Sequence, residues 1–200
     1  MTNFFLIRHA SCDGLGQTLW GRTPGIRLNE EGKLQVRQLA ENCERLQFDA
    51  VYSSPLERAL ETAEAMKLEV RKNDALNEID FGEWSGKTFE ELAHDERWLH
   101  FNKRRSTASI PGGESFLDVQ NRVVNEINRL AREHGDGRVA IVSHADVIRA
   151  AVAYYVGMPI DLIDRFEISP CSLSVIAVDD QNVTLLTINN TAIHRLHGFF

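Results

Sequence analysis

Apolar positions along the chain follow two periods that alternate. Residues 4–7 form a short unbroken apolar run that ends in Arg8-His9. Such a run reads as a strand buried on both faces. Further on, Val36, Leu39, Ala40, Cys43 and Leu46 share one face of a helix reaching to about Gln47. Asn29 supplies its cap, with Glu30 and Glu31 in the first turn. Residues 49–53 predict a second strand. Ser54-Pro55-Leu56-Glu57 carries the capping-box spacing, with Pro at the first helical position. It predicts a helix that buries Leu56, Ala59, Leu60, Ala63 and Met66.

Residues 68–70 predict a short third strand, and 72–113 are irregular. That stretch holds Gly82, Trp84, Gly86, a predicted helix at 88–100 and the turn Pro111-Gly112-Gly113. Ser115 and Asp118 repeat the capping pattern and open a long helix to about His134, closed by Gly135. A buried strand at 139–142 follows, then a helix from about Asp146 to Val156, stopped by Gly157. Strands at 172–178 and 183–188 flank a predicted hairpin at 179–182. Strands alternating with helices predict an α/β fold. We expect a three-layer α/β/α sandwich with a mostly parallel sheet, one antiparallel edge strand and a small helical/loop insertion. The whole chain, 1–200, reads as one domain, with a cap-like insertion at about 84–113.

Composition narrows the partners. The net charge of −7 argues against nucleic acid, whose binding rests on basic patches. No stretch approaches the ~20 apolar residues that span a bilayer, and the N-terminus lacks a secretory pattern. Cys12, Cys43 and Cys171 are sparse and odd in number, with neither disulfide nor zinc spacing. A cytoplasmic protein is the simplest expectation. A homodimer is compatible with the sequence, and the apolar Phe199-Phe200 end is a candidate for an interface.

Chemistry concentrates at strand ends, where open α/β sheets bind ligands. Arg8-His9 follows the first strand, Ser53-Ser54 and Arg58 the second, and Ser143-His144 the strand at 139–142. Two imidazoles and two guanidiniums there would form a cationic cup for an anion such as phosphate. Helix N-termini beside them would add partial positive charge.

These residues resemble a known pattern. Leu6-Ile7-Arg8-His9-Ala10 is similar to the Arg-His-Gly signature of the histidine phosphatase superfamily, the phosphoglycerate mutase-like proteins. The resemblance continues through Gly21-Arg22, Leu28-Asn29-Glu30-Glu31-Gly32 and Val51-Tyr52-Ser53-Ser54-Pro55-Leu56-Glu57-Arg58-Ala59. It extends over Leu76-Asn77-Glu78-Ile79-Asp80-Phe81-Gly82-Glu83-Trp84-Ser85-Gly86, Pro111-Gly112-Gly113-Glu114-Ser115 and Val142-Ser143-His144-Ala145. By that resemblance His9 is the nucleophile, Arg8, Arg58 and His144 hold the phosphate, and Glu78 is the proton donor. Asp80 and Glu83 are the competing acids. The resemblance implies no metal and no cofactor.

Two departures stand out. Ala10 replaces the commoner Gly, and no Asn falls in 11–19, where many relatives place one against the phosphate. Asp13 and Gln17 are polar substitutes. Arg22, Asp13, Arg104 and Arg105 are further candidates for substrate contact, although Lys103-Arg104-Arg105 also fits a solvated loop. Cys12 reads as a bystander, and the His194/His197 pair as tail residues rather than metal ligands. Gly82–Thr88 has three residues between its glycines where a phosphate-binding P-loop needs four, so it is not read as one.

The leading expectation is a phosphomonoester hydrolase acting on a small phosphorylated substrate through a phosphohistidine. The alternative is a cofactor-dependent phosphoglycerate mutase, and the remote one a non-catalytic phospholigand-binding module. The short segment from Gly86 to Pro111 favours the hydrolase, since mutases of the family generally enclose their intermediate under a larger insertion.

Overall fold

The computed structural model describes residues 1–179 and 181–192. His194, His197 and Phe199-Phe200 lie outside the described residues. Six strands form one sheet: β1 (Thr2–Arg8), β2 (Ala50–Ser53), β3 (Val70–Lys72), β4 (Arg138–Ser143), β5 (Leu173–Val178) and β6 (Val183–Asn190). Their spatial order is β3-β2-β4-β1-β5-β6. The β1/β4, β2/β4 and β2/β3 pairs are parallel. The antiparallel edge is the β5/β6 hairpin, paired to β1 through β5.

Side chains alternate across β1. Phe4 and Leu6 enter one apolar cluster, Phe5 and Ile7 the other, as the period of two requires. Helix α1 (Glu30–Leu46) and α2 (Glu57–Glu64) cover the Phe5/Ile7 face. Helices α5 (Phe116–His134) and α6 (Ala145–Tyr155), with the 3-10 segment Ile160–Arg165, cover the other. Two short helices, α3 (Phe89–Leu92) and α4 (Glu96–Lys103), occupy the irregular stretch.

Caps explain most boundaries. Asn29 Oδ1 accepts from Gly32 N at 2.8 Å, and Ser115 and Asp118 form a reciprocal capping box. Three expectations shift. The predicted single helix at 88–100 is two, because Asp95 caps α4 and also accepts from the buried Trp84 Nε1 at 3.1 Å. That carboxylate cannot serve both partners from inside a continuous helix. The third strand lies at Val70–Lys72, two residues beyond the predicted start. The Ser54 capping box does not form: Leu56 is the N-cap of α2 and makes no side-chain cap bond. Ser54 Oγ instead lies 2.8 Å from His144 Nε2.

Candidate active site

Three parallel strands end in register. Arg8 is opposite Ser143, and Ser53 opposite Val142. The ladder runs one residue past each end, with His9 N donating to Ser143 O at 2.9 Å and Ser54 N to Val142 O at 3.0 Å. His9, Ser54 and His144 therefore emerge side by side. The two imidazole centroids stand 5.1 Å apart.

His9 is buried, and its Nδ1 lies 2.8 Å from the carbonyl of Ala10. A carbonyl only accepts, so Nδ1 carries the proton and Nε2 keeps its lone pair. Burial, then the charges of Arg58 and Arg8, push the ring's pKa well below the usual value, so it is neutral. The backbone after it is pinned: Ala10 N donates to Thr62 Oγ1 and Ser11 N to Gln35 Oε1. Gly32, in the first turn of α1, packs so closely that a Cβ would stand 2.0 Å from Ser11 O.

Two guanidiniums stand beside this ring. Arg8 Nη1 donates to Ile168 O at 2.6 Å, and Arg58 Nη2 to Gly21 O at 2.8 Å. Arg8 Nε and Arg58 Nη1 are buried without a partner. Burial lowers both guanidinium pKa values, and Glu78 opposes that shift. Buried unpaired N–H groups on a cation are costly, and an anion between them would supply the missing acceptors.

His144 is fully buried. Its Nδ1 is 3.4 Å from Arg58 Nη2 and 3.6 Å from Glu78 Oε2. Ser54 Oγ faces Asn77 Oδ1 at 3.4 Å, so the hydroxyl donates there and accepts from His144 Nε2. Burial first, then Arg58 and His9, hold His144 neutral.

Glu78 lines the cavity, and its Oε1 accepts from Ile79 N at 2.9 Å. Desolvation first, then Asp146, raise its pKa to about 7. Its backbone is clamped. Arg22 Nε and Arg122 Nη2 both donate to Glu78 O, at 2.8 and 3.2 Å, and both pair with Glu114 Oε1. Glu114 Oε1 also accepts from Asp80 N, and Ser143 Oγ ties Leu76 O to the end of β4.

A cavity of about 220 Å³ opens over these groups, lined by Arg8, His9, Arg58 and Glu78 and by Cys12, Thr18, Asp146 and Arg149. Leu15, Leu19, Trp20, Phe81 and Phe89 complete most of its wall. The other sequence candidates lie elsewhere. Asp13 and Gln17 are exposed and off the wall, and Arg104 is exposed at the end of α4. Arg22 is spent on the Glu78 clamp. Arg105, expected in a solvated loop, is buried, paired with Asp164 and set over the Phe101 and Phe116 rings. Cys12 is on the wall, with a thiol whose pKa burial raises. Sequence reasoning missed Ser54 as the partner of His144, Thr18, and the pair Asp146 and Arg149. The last two were findable: they sit in the first turns of the helix after a strand end that carries His144.

Such a site, an α/β sheet presenting a neutral imidazole among buried guanidiniums, defines a phosphoryl-transfer enzyme. Residues 4–191 match the histidine phosphatase superfamily (branch 1), and the chain belongs to that family. It is 34% identical over 203 residues to phosphoserine phosphatase 1 of Hydrogenobacter thermophilus, covering 96% of this chain and 93% of that one. It is 30% identical to the adenosylcobalamin/alpha-ribazole phosphatase of Escherichia coli K12, over 94% and 96% of the two chains. A solved mutant of the phosphoserine phosphatase of Entamoeba histolytica with bound phosphoserine superposes with a TM-score of 0.87. That match is 27% identical and covers 96% of this chain and 99% of the other.

Proposed function

We propose that this phosphatase hydrolyses phosphomonoesters of small metabolites by two transfers through His9. Arg8 Nε and Arg58 Nη1 take the phosphoryl oxygens, with His144 beside them. His9 Nε2 attacks phosphorus, the P–O bond to the alcohol breaks, and the protonated Glu78 gives its proton to the departing oxygen. Glu78, now a carboxylate, takes a proton from water, whose oxygen attacks the phosphohistidine. Inorganic phosphate leaves, His9 is neutral again and Glu78 is reprotonated. No metal enters either step, so turnover in excess chelator is expected to be undiminished.

The observation that carries this reading is the pair of buried guanidinium N–H groups left unpartnered around an imidazole whose tautomer Ala10 fixes. The charge-neutralising and positioning demands of phosphoryl transfer are what such a pair supplies. Water rather than a bound product is the acceptor. The segment between Gly86 and Pro111 carries only α3 and α4, of four and eight residues, a slight cover for retaining an intermediate. That weighs against the mutase alternative. Free, buried thiols at Cys12, Cys43 and Cys171 fit a reducing, cytoplasmic setting.

The test is chemical. Acid quench during turnover should trap a phosphoenzyme that is acid-labile and base-stable, and His9→Ala should neither form it nor turn over. Full turnover by His9→Ala would end the proposal.

A further inference from the structure

The cavity wall around the phosphoryl site divides by chemistry, and the division bears on the alcohol half of the substrate. Leu15, Leu19, Trp20, Phe81 and Phe89 make up most of its apolar lining. These side chains come from two segments stitched by backbone bonds. Leu19 N donates to Lys87 O, Gly86 N to Leu19 O, both at 2.8 Å, and Phe89 N to Gln17 O at 2.9 Å. Thr18 and Thr88 form a bridge between them. The apolar wall is thus built, and Phe89 remains 37% exposed, so a ligand has apolar area left to cover.

Apart from Arg8, Arg58 and Glu78, the charged lining is Asp146 and Arg149. Arg149 Nη1 lies 3.0 Å from Asp146 Oδ1 and 3.9 Å from Asp164 Oδ1. Asp146 answers that Nη1 and repels a further anion, while Arg149 Nε is buried without a partner. Arg22 and Arg105, off the cavity wall, are committed too. Arg22 pairs with Glu114, and Arg105 with Asp164. Arg149 has a carboxylate partner, whereas Arg8 and Arg58 are held by backbone carbonyls, and the phosphoryl group takes both.

Resting on the phosphatase reading, we propose that the preferred substrate is a phosphomonoester of an uncharged alcohol with an apolar or aromatic body. Esters carrying a second phosphate or a carboxylate are disfavoured. The body lies against Trp20, Leu15 and Phe89, with its ester oxygen toward Glu78. A carboxylate in that place lies against apolar side chains, and the cavity's remaining guanidinium, Arg149, already carries Asp146, with its Nε unpartnered.

The experiment compares kcat/KM for 2-phenylethyl phosphate, ethyl phosphate, O-phosphoserine and 3-phosphoglycerate, all esters of alkyl alcohols. The expected result is that 2-phenylethyl phosphate exceeds each of the other three by ~10-fold or more, the scale of burying an aromatic ring. Phe89→Ala, at an exposed position, should lower the phenylethyl-to-ethyl ratio ~3–10-fold through KM. Leu15→Asn should move the same ratio the same way. Preference for O-phosphoserine or 3-phosphoglycerate would overturn the proposal, and loss of that preference in Arg149→Met would make Arg149 the carboxylate site instead. A ratio unmoved in both wall variants would also overturn it. Those outcomes leave the phosphatase reading intact. That reading fails separately, if no ester releases phosphate and no phosphoenzyme forms.

Discussion

Glu78 is a carboxyl group that the fold keeps protonated near neutrality, and this has a cost in stability with a definite sign. The unfolded chain ionises it from about 4.5, whereas the native one holds the proton to about 7. Folding therefore takes up a proton between those limits, and stability falls as pH rises through that window. Below it the effect vanishes. Above it the full loss stands, on the order of 3 kcal/mol. Glu78→Gln escapes the penalty. Thermal scans should show the variant more stable than the parent at about pH 8 and equal to it below the window. A difference that does not grow with pH would show that the carboxyl is not held as described. The same variant should lose ~10²–10⁴-fold in kcat on ethyl phosphate and far less on p-nitrophenyl phosphate, whose leaving group needs little protonation.

Among elements, the link that matters is the clamp joining the loop at 21–22, the acid loop at 78–80 and the N-terminal turn of α5. Gly82 and Gly113 let two of these backbones touch. A Cβ on Gly82 would stand 2.2 Å from Pro111 O, and one on Gly113 2.2 Å from Asp80 O. Glu114 then reaches Arg22, Arg122 and Asp80 N together. Glu114→Gln leaves two facing guanidiniums without their counter-charge, at a cost on the order of 3 kcal/mol. Because Glu78 rides on this clamp, kcat on alkyl phosphates should fall more than kcat on p-nitrophenyl phosphate, with the alkaline limb of the pH profile displaced. Equal losses on both esters would mean a merely destabilised fold. How much of this was legible follows from range. The α1 and α5 helices announce themselves because cap and apolar face lie within one local window. Strand-end residues Arg8, His9 and His144 are legible because the strand places them. The helix start at Ser54 is not legible locally, because its hydroxyl is claimed by His144, ninety residues away in sequence. The break at Asp95 depends on Trp84, and the wall at Leu15, Trp20 and Phe89 on the path of two irregular segments. Local pattern carries neither.

Across the whole molecule, an acidic protein of net charge −7 encloses a small cationic site. An anion that fills it binds the native state alone and must raise stability by mass action. Inorganic phosphate at ~100 times its Kd should add about 2.7 kcal/mol, read as a rise in Tm. Arg58→Met should abolish the rise, and a persisting one would place the anion elsewhere. Gly21 and Arg22, finally, hold two different things at once: the carbonyl of Gly21 steadies Arg58, and the guanidinium of Arg22 steadies the backbone of Glu78. The stretch at 12–20, which supplies Leu15, Leu19 and Trp20 to the cavity wall, ends where this dipeptide begins. Its backbone is held at that joint and along residues 86–89, so its side chains can vary on a fixed path. Exchanges of the side chains this stretch turns to the cavity, at Leu15, Leu19 and Trp20, should retarget the enzyme without rebuilding its chemistry, whereas Ala10 and Ser11 on one side and the joint on the other tolerate no such exchange.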